Sequence, residues 1–384
     1  MASQNLAFVG RGDLAALAKI DLGRAIGPWR RHRGDPGVTD NRKYPNHPAN
    51  YRARADLVDA VNTALVLSKP LLLTGNPGTG KSQLAERIAW EFNLGPVLRF
   101  EAQSLSEANE LFYRFDLVSY LAEVEIFKAG KRDRPLATPG EKLAREKEAL
   151  EPERFVRLGP LGEAIVRSDP RRLAALFDAS FGPDETAATA TPRASVVLID
   201  EIDKASRDFP NDLLNGIERL EFRVRELGLD TMEVAEEHRP IVIITSNLER
   251  DLPPPFLRRC TFFHIEDPTK EELTAIVAQR FFAKRLPPGA NPAESVPSLP
   301  GFYQQVLEHF WTFREQHNDE LQYRPGTSEL IDWTDALRRQ KPQEDAELRT
   351  QIDVVRRTAS AVSKHKDDHR LLREFLEGLV PKAA

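Results

Sequence analysis

The chain has 384 residues, 41% of them hydrophobic, with 54 Lys and Arg against 59 Asp and Glu for a net charge of -5. That is enough apolar sequence for one large core or two ordinary ones, so disorder throughout is excluded, and the near-balance of charge excludes a global attraction to nucleic acid or anionic membrane. The single cysteine, Cys260, excludes an intramolecular disulfide. No run reaches the ~18 apolar residues of a membrane span and MASQNLAFVGRGD lacks a leader's basic start and apolar core, so a cytoplasmic protein is expected.

Residues 1–50, with WRRHRGDPG and YPNHPANY, are rich in breakers and show no period, so they form an N-terminal extension of unread role. The first strand signal is PLLLTG at 70–75, and it runs directly into GNPGTGKS. This stretch matches G-x-x-x-x-G-K-[ST], with Gly75, Asn76, Pro77, Gly78, Thr79, Gly80, Lys81 and Ser82 in order. Glycines let backbone N–H groups turn inward around phosphate oxygens, and a helix starting near Lys81 adds the positive end of its dipole. Lys81 is expected to reach the β and γ phosphates of a nucleotide, and the Ser82 hydroxyl to ligate Mg2+.

A second strand signal is VLRFEA at 97–102, and KAGKRDRPLATPGE at 128–141 and GPDETAATATPRA at 182–194 read as loops. The third strand, SVVLIDE at 195–201, ends in the acidic pair Asp200 and Glu201. A carboxylate leaving a buried strand beside a phosphate cradle suits a metal, and its neighbour suits activation of water, so Asp200 is the metal residue and Glu201 the base. Asp203 and Lys204 are read as local helix-start electrostatics. In the following helix Leu213, Leu214, Ile217 and Leu220 share one face, with Asp208 or Asn211 as its cap. Phe222 and Val224 then alternate with Arg223 and Arg225, a period of two that predicts an inserted hairpin with both arginines on one face.

The fourth strand, PIVIITSN at 240–247, delivers Asn247 to the strand-end edge where ligands sit in α/β sheets, in position to hydrogen-bond the γ phosphate or the attacking water. DLPPPFLRRC follows, placing Arg258 and Arg259 ahead of a fifth strand, CTFFHIED at 260–267, with Cys260 as a buried strand residue. Near-continuous apolar strands separated by helices predict an α/β core with a five-stranded parallel sheet covered on both faces. From Thr269 onward only amphipathic helical patterns occur, such as KEELTAIVAQRFF and TSELIDWTDALRR, interrupted by a linker at 286–301.

GNPGTGKS, LIDEIDKA, TSN, PFLRRC and RPGTSELIDW, in that order over roughly residues 51–340, resemble the AAA+ ATPases, specifically the MoxR-like family of the helix-2-insert group. The resemblance implies a P-loop NTPase core over 51–268, carrying a helix-2 insert and a pre-sensor-1 hairpin, then a helical lid and C-terminal region over 269–384. It implies ATP and Mg2+ as cofactors, Walker A at Gly75–Ser82, Walker B at Asp200 and Glu201, and sensor 1 at Asn247. Arg324 of YRPGTSE falls at the sensor 2 position, and Arg258 or Arg259 at the arginine finger that reaches a neighbour's nucleotide. The residues leave open which of those two it is.

The function this implies is an ATP-hydrolysing ring, a hexamer, that remodels a client or adaptor protein, with von Willebrand factor A domain proteins as the associated partner class. Two other classes stand beside it. A DNA restriction or defence motor of the McrB type is disfavoured by the absence of an N-K-x-D guanine motif and of a basic excess. An assembly scaffold that does not depend on turnover is disfavoured by the intact Asp200 and Glu201.

Overall fold

The computed structural model describes residues 8–10, 48–130, 152–169, 191–282 and 296–379. Five apolar runs pair into one sheet: β1 (Leu71–Gly75), β2 (Leu98–Glu101), β5 (Val196–Asp200), β8 (Ile241–Ser246) and β9 (Thr261–Ile265). Their order is β2-β5-β8-β1-β9 and every pairing is parallel, as the uninterrupted apolar character of the runs predicts.

Alternation within the strands sorts side chains onto two faces. Leu71, Leu73, Val196, Leu198, Ile241 and Ile243 pack beneath α1 (Ala55–Leu67) and α2 (Lys81–Phe92), while Leu72, Val197, Ile199, Val242 and Ile244 pack against α4 (Pro160–Ser168) and α5 (Phe209–Arg219). Because all five strands run the same way, β1, β5 and β8 end on one edge, and the loops after them meet there.

Two small antiparallel strand pairs stand beside the sheet. β3 (Tyr113–Phe115) pairs antiparallel with β4 (Val156–Leu158), with α3 (Leu117–Gly130) following β3; β6 (Glu221–Phe222) pairs with β7 (Met232–Glu233). The second pair lies where the alternation predicts a hairpin, with Phe222 and Val224 buried and Arg223 and Arg225 exposed, but its paired strand covers only Glu221 and Phe222, and Arg225 opens a short 3-10 turn. Phe112 joins the two strand pairs to the core: its ring lies 5.9 Å from that of Phe222, and the glycines Gly162 and Gly216 admit its backbone and ring against α4 and α5.

Asp208 stands at the N-cap of α5, but its backbone is already helical and its side chain makes no capping bond. Asn211 lies inside the helix, so neither residue supplies the expected cap. Cys260 is buried but sits in the turn before β9, not in the strand, and burial pushes its thiol up to about 12. The loop expected at 128–141 begins later, since 128–130 close α3, and its other residues lie outside those described.

Residues 8–10 are pinned to the core although nothing in their sequence announces it. Phe8 is buried, its N–H donates to Asn62 Oδ1 at 2.9 Å, and the N–H groups of Val9 and Gly10 donate to the Glu91 carboxylate. Glu91 is itself paired with Arg87 one turn earlier in α2, both side chains 0% exposed. The C-terminal part contains α7 (Lys270–Phe282), α8 (Gly301–Gln316), α9 (Thr327–Arg339), α10 (Ile352–Thr358) and α11 (Lys366–Gly378) around a separate apolar cluster centred on Phe310, Phe313 and Trp333. Among the described residues no strand occurs after Ile265, and no helix is long and apolar enough to cross a membrane.

A methyl group at Gly162 would collide with the Phe112 carbonyl oxygen, which is backbone and cannot swing aside. Gly162→Ala is therefore expected to destabilise the chain by about 1–3 kcal/mol, read as a lower urea midpoint at unchanged m-value.

Candidate functional site

The loop after β1 turns through left-handed backbone at Gly75 (φ 144°), Gly78 (φ 81°) and Gly80 (φ 90°). A side chain at Gly75 would strike the Ile265 carbonyl, and one at Gly78 would come within 2.7 Å of Ser328 Oγ, so these positions require glycine on space as well as angle. Gly80 then caps α2 without a side chain, which leaves the first-turn N–H groups and the positive end of the helix dipole facing the loop. Lys81 opens that helix and is buried, its Nζ donating to the carbonyls of Gly75 at 2.7 Å and Asn76 at 2.9 Å. Burial lowers the lysine's pKa, while Asp200, Asp203 and Glu201 act in the opposite sense and favour its charge.

Asp200 closes β5 opposite Ser82. The hydroxyl lies 2.9 Å from each of its carboxylate oxygens, an all-oxygen pair that suits a hard cation. Among the described residues no group of three His, Cys, Asp or Glu gathers to hold a metal, so Mg2+ would take Ser82 and Asp200 together with phosphate oxygens and water.

Thr245 of β8, fully buried, donates its hydroxyl to Asp200 Oδ1 and accepts the N–H of Glu201 at 2.9 Å. One hydroxyl thus fixes both members of the acidic pair. Glu201 adopts left-handed backbone (φ 55°, ψ 50°), which costs a residue with a Cβ about 1–2 kcal/mol. Its Oε1 accepts from Asn247 Nδ2 at 3.1 Å and its Oε2 from Lys204 Nζ. The structure therefore joins Ser82, Asp200, Glu201 and Asn247 in one hydrogen-bonded group beside Lys81.

Asp203 and Lys204 do more than neutralise a helix start. Asp203 is 3% exposed and accepts the N–H groups of Asn247 (3.1 Å) and Glu249 (3.0 Å), so it anchors the loop that carries Asn247. Lys204 is half exposed and holds the free oxygen of Glu201; that bond is the main cause of its raised pKa.

Arg258 and Arg259 follow α6 (Pro254–Leu257), whose prolines occupy its first turn. The register pairs Leu71 with Thr261 and Gly75 with Ile265, so the arginines stand before the start of β9 while the cradle stands after the end of β1, about 13 Å of strand away. Arg259 Nε donates to Glu218 of α5 at 2.8 Å, and its Nη1 to the Pro255 carbonyl at 3.2 Å. The guanidinium also holds the Glu218 carboxyl below its usual range. Arg258 is exposed and its guanidinium makes no bond among the described residues. Arg324 precedes α9 and pairs with Glu315 at 2.9 Å, both side chains being substantially exposed.

The model of the ATPase family associated with various cellular activities (AAA) matches residues 71–267, from the first residue of β1 to two residues beyond β9. No curated protein matches the chain.

Since Asp203 holds the Asn247 loop through two charge-assisted bonds, Asp203→Asn is expected to lower ATP turnover about tenfold or more while nucleotide affinity stays within about threefold. Single-turnover hydrolysis and a binding titration on the same preparation check this, and wild-type turnover would remove Asp203 from the site.

Proposed function

The chain belongs to the AAA family of ATPases, and from that premise we propose that it is a MoxR-type ring motor, a hexamer, that hydrolyses ATP to remodel or mature a partner protein. The partner class we propose is a client or adaptor carrying a von Willebrand factor A domain. The observation that carries the oligomeric reading is the pair Arg258 and Arg259. It lies on the far side of the sheet from the chain's own cradle, and Arg259 is already engaged by Glu218 within the subunit.

In this mechanism the N–H groups of the Gly75–Gly80 loop and of the first turn of α2 bind the phosphates, and Lys81 exchanges the Gly75 and Asn76 carbonyls for phosphate oxygens. Ser82 and Asp200 would hold Mg2+, whose charge would offset that of the phosphates. Glu201 accepts a proton from the water that attacks the γ phosphorus, as the bond to the β,γ-bridging oxygen breaks and ADP leaves. Asn247 orients the Glu201 carboxylate, and Lys204, on the opposite oxygen, restrains it until that ion pair opens. Arg258 supplies the fixed planar cation that stabilises charge developing on the neighbouring subunit's nucleotide, and Arg259 fixes the turn that presents it. Arg324, on a lid formed by α7–α11, is proposed as the sensor 2 arginine and would leave Glu315 as the lid closes.

Glu201→Gln is expected to keep ATP affinity, lose steady-state hydrolysis and trap the ring on its partner; identifying proteins that copurify with this variant in ATP tests the client reading, and unchanged turnover overturns the base assignment. Arg258→Ala should lower turnover by about a thousandfold with ATP binding intact, and Arg259→Ala by less. Mixing the Arg258→Ala and Lys81→Ala chains should restore part of the activity, because an intact cradle then meets an intact neighbouring arginine. Failure of the mixture to recover, or full activity of Arg258→Ala alone, removes the trans role.

A further inference from the structure

Arg314 occupies the position where an apolar residue is expected. Phe302, Val306 and Phe310 of α8 follow one another at intervals of four on its buried face, and the next residue at that interval is Arg314. Its side chain is 3% exposed and lies over the Trp311 ring, and its Nε is buried with no hydrogen-bond partner among the described residues. An arginine placed this way is a poor stabiliser, because its desolvation is only partly repaid. The repayment comes from one carboxylate: Nη2 donates to Asp267 Oδ2 at 2.8 Å.

Asp267 lies two residues beyond β9, at the passage from the sheet into α7. Its other oxygen, Oδ1, accepts Asn76 Nδ2 at 3.0 Å, so one carboxylate ties the buried face of α8 to the second residue of the phosphate loop. Asn76 is in turn the node of that loop. Its carbonyl accepts Lys81 Nζ at 2.9 Å and the Thr79 hydroxyl at 2.9 Å. A second contact reinforces the link, since Ser328 in the first turn of α9 packs directly over Gly78. The helical part therefore meets the loop directly through Ser328 and reaches it indirectly through Asp267, and the second route leads by hydrogen bonds to the ammonium group that must move when phosphate binds.

We propose that Arg314 is a positioning residue that acts through Asp267 and Asn76 to couple the helical part of the chain to the phosphate loop. The inference rests on the reading of that loop as a nucleotide site. When Lys81 leaves the Asn76 carbonyl for phosphate, Asn76 gains freedom, its grip on Asp267 changes, and Arg314 carries that change into α8. By reciprocity, displacement of α8 alters nucleotide affinity by the same factor. Arg324 and Glu315 are the other charged groups facing Arg314, and their exposed pair lies outside this chain of bonds.

Titration of the full-length chain with ADP tests the coupling without recourse to turnover. Asn76→Ala and Asp267→Asn should each raise the ADP Kd by about tenfold, within the usual range of a coupling, and the double variant should show no more than either single change. Arg314→Lys, which keeps the charge and is the gentler test of folding, should show part of the Asp267→Asn loss. Independent roles would multiply to about a hundredfold in the double variant, and that result, or wild-type affinity in either single variant, overturns the proposal. A wild-type chain that binds no ADP overturns the nucleotide reading and the coupling with it, whereas wild-type binding with unaffected variants removes the coupling alone.

Discussion

The site depends on the buried hydroxyl of Thr245, which donates to Asp200 and accepts from the Glu201 N–H across the boundary between β5 and β8. An acidic pair at the end of a strand has no inherent reason to bring both carboxylates to one edge with separate partners. Alternation would send them to opposite faces, and the left-handed turn at Glu201 changes that. Thr245 holds the turn in place from the neighbouring strand, so the parallel register of β5 with β8 becomes a chemical constraint on that edge. The same register sets Asn247 one residue beyond β8, within reach of the redirected Glu201 carboxylate.

Charge density is the second constraint. Lys81 is buried, with Asp200, Glu201 and Asp203 all near enough to act on it, and each of these carboxylates has a donor of its own. Ser82 and Thr245 serve Asp200, Asn247 and Lys204 serve Glu201, and two backbone N–H groups serve Asp203. Buried or half-buried anions persist only where such donors replace water. The carboxylates are thus held by the chain's own groups, which is what preorganised electrostatics requires.

Much of this was legible in the sequence for a physical reason. Strands buried on both faces must be apolar at nearly every position, so β1, β5 and β8 declared themselves, and parallel pairing then placed their following residues on one edge. The glycines of GNPGTGKS declared a loop that needs left-handed angles. β3 and β4 did not declare themselves, because three residues are too few for a period and their support comes from Phe112 packing on distant glycines. Thr245 was visible but mute, since a hydroxyl in IVIITS carries no sign of what it will face. Asp203 was misread because a carboxylate just after an acidic pair looks like local electrostatics, and its partners lie more than forty residues away. Arg314 did leave a trace, as a charge on an otherwise apolar helical stripe, and its meaning depended on Asp267, the distant carboxylate it reaches.

Strain and desolvated charge have to be held by something rigid. Here the two apolar layers of the sheet meet that need: the left-handed Glu201 follows directly from β5, whose four residues before Asp200 are all buried, and the loop after β8 hangs from an entirely buried strand. The arginines differ in a telling way. Arg258 and Arg259 project from a short proline-led turn at the opposite edge, anchored by the buried Phe256, and the side chain of Arg259 is fixed by Glu218 and the Pro255 carbonyl. An exposed ion pair of that kind contributes little to the stability of one chain. Its value lies in direction: with Arg259 held back against α5, the adjacent Arg258 is left to project from the turn, at the end of the strands opposite the phosphate loop.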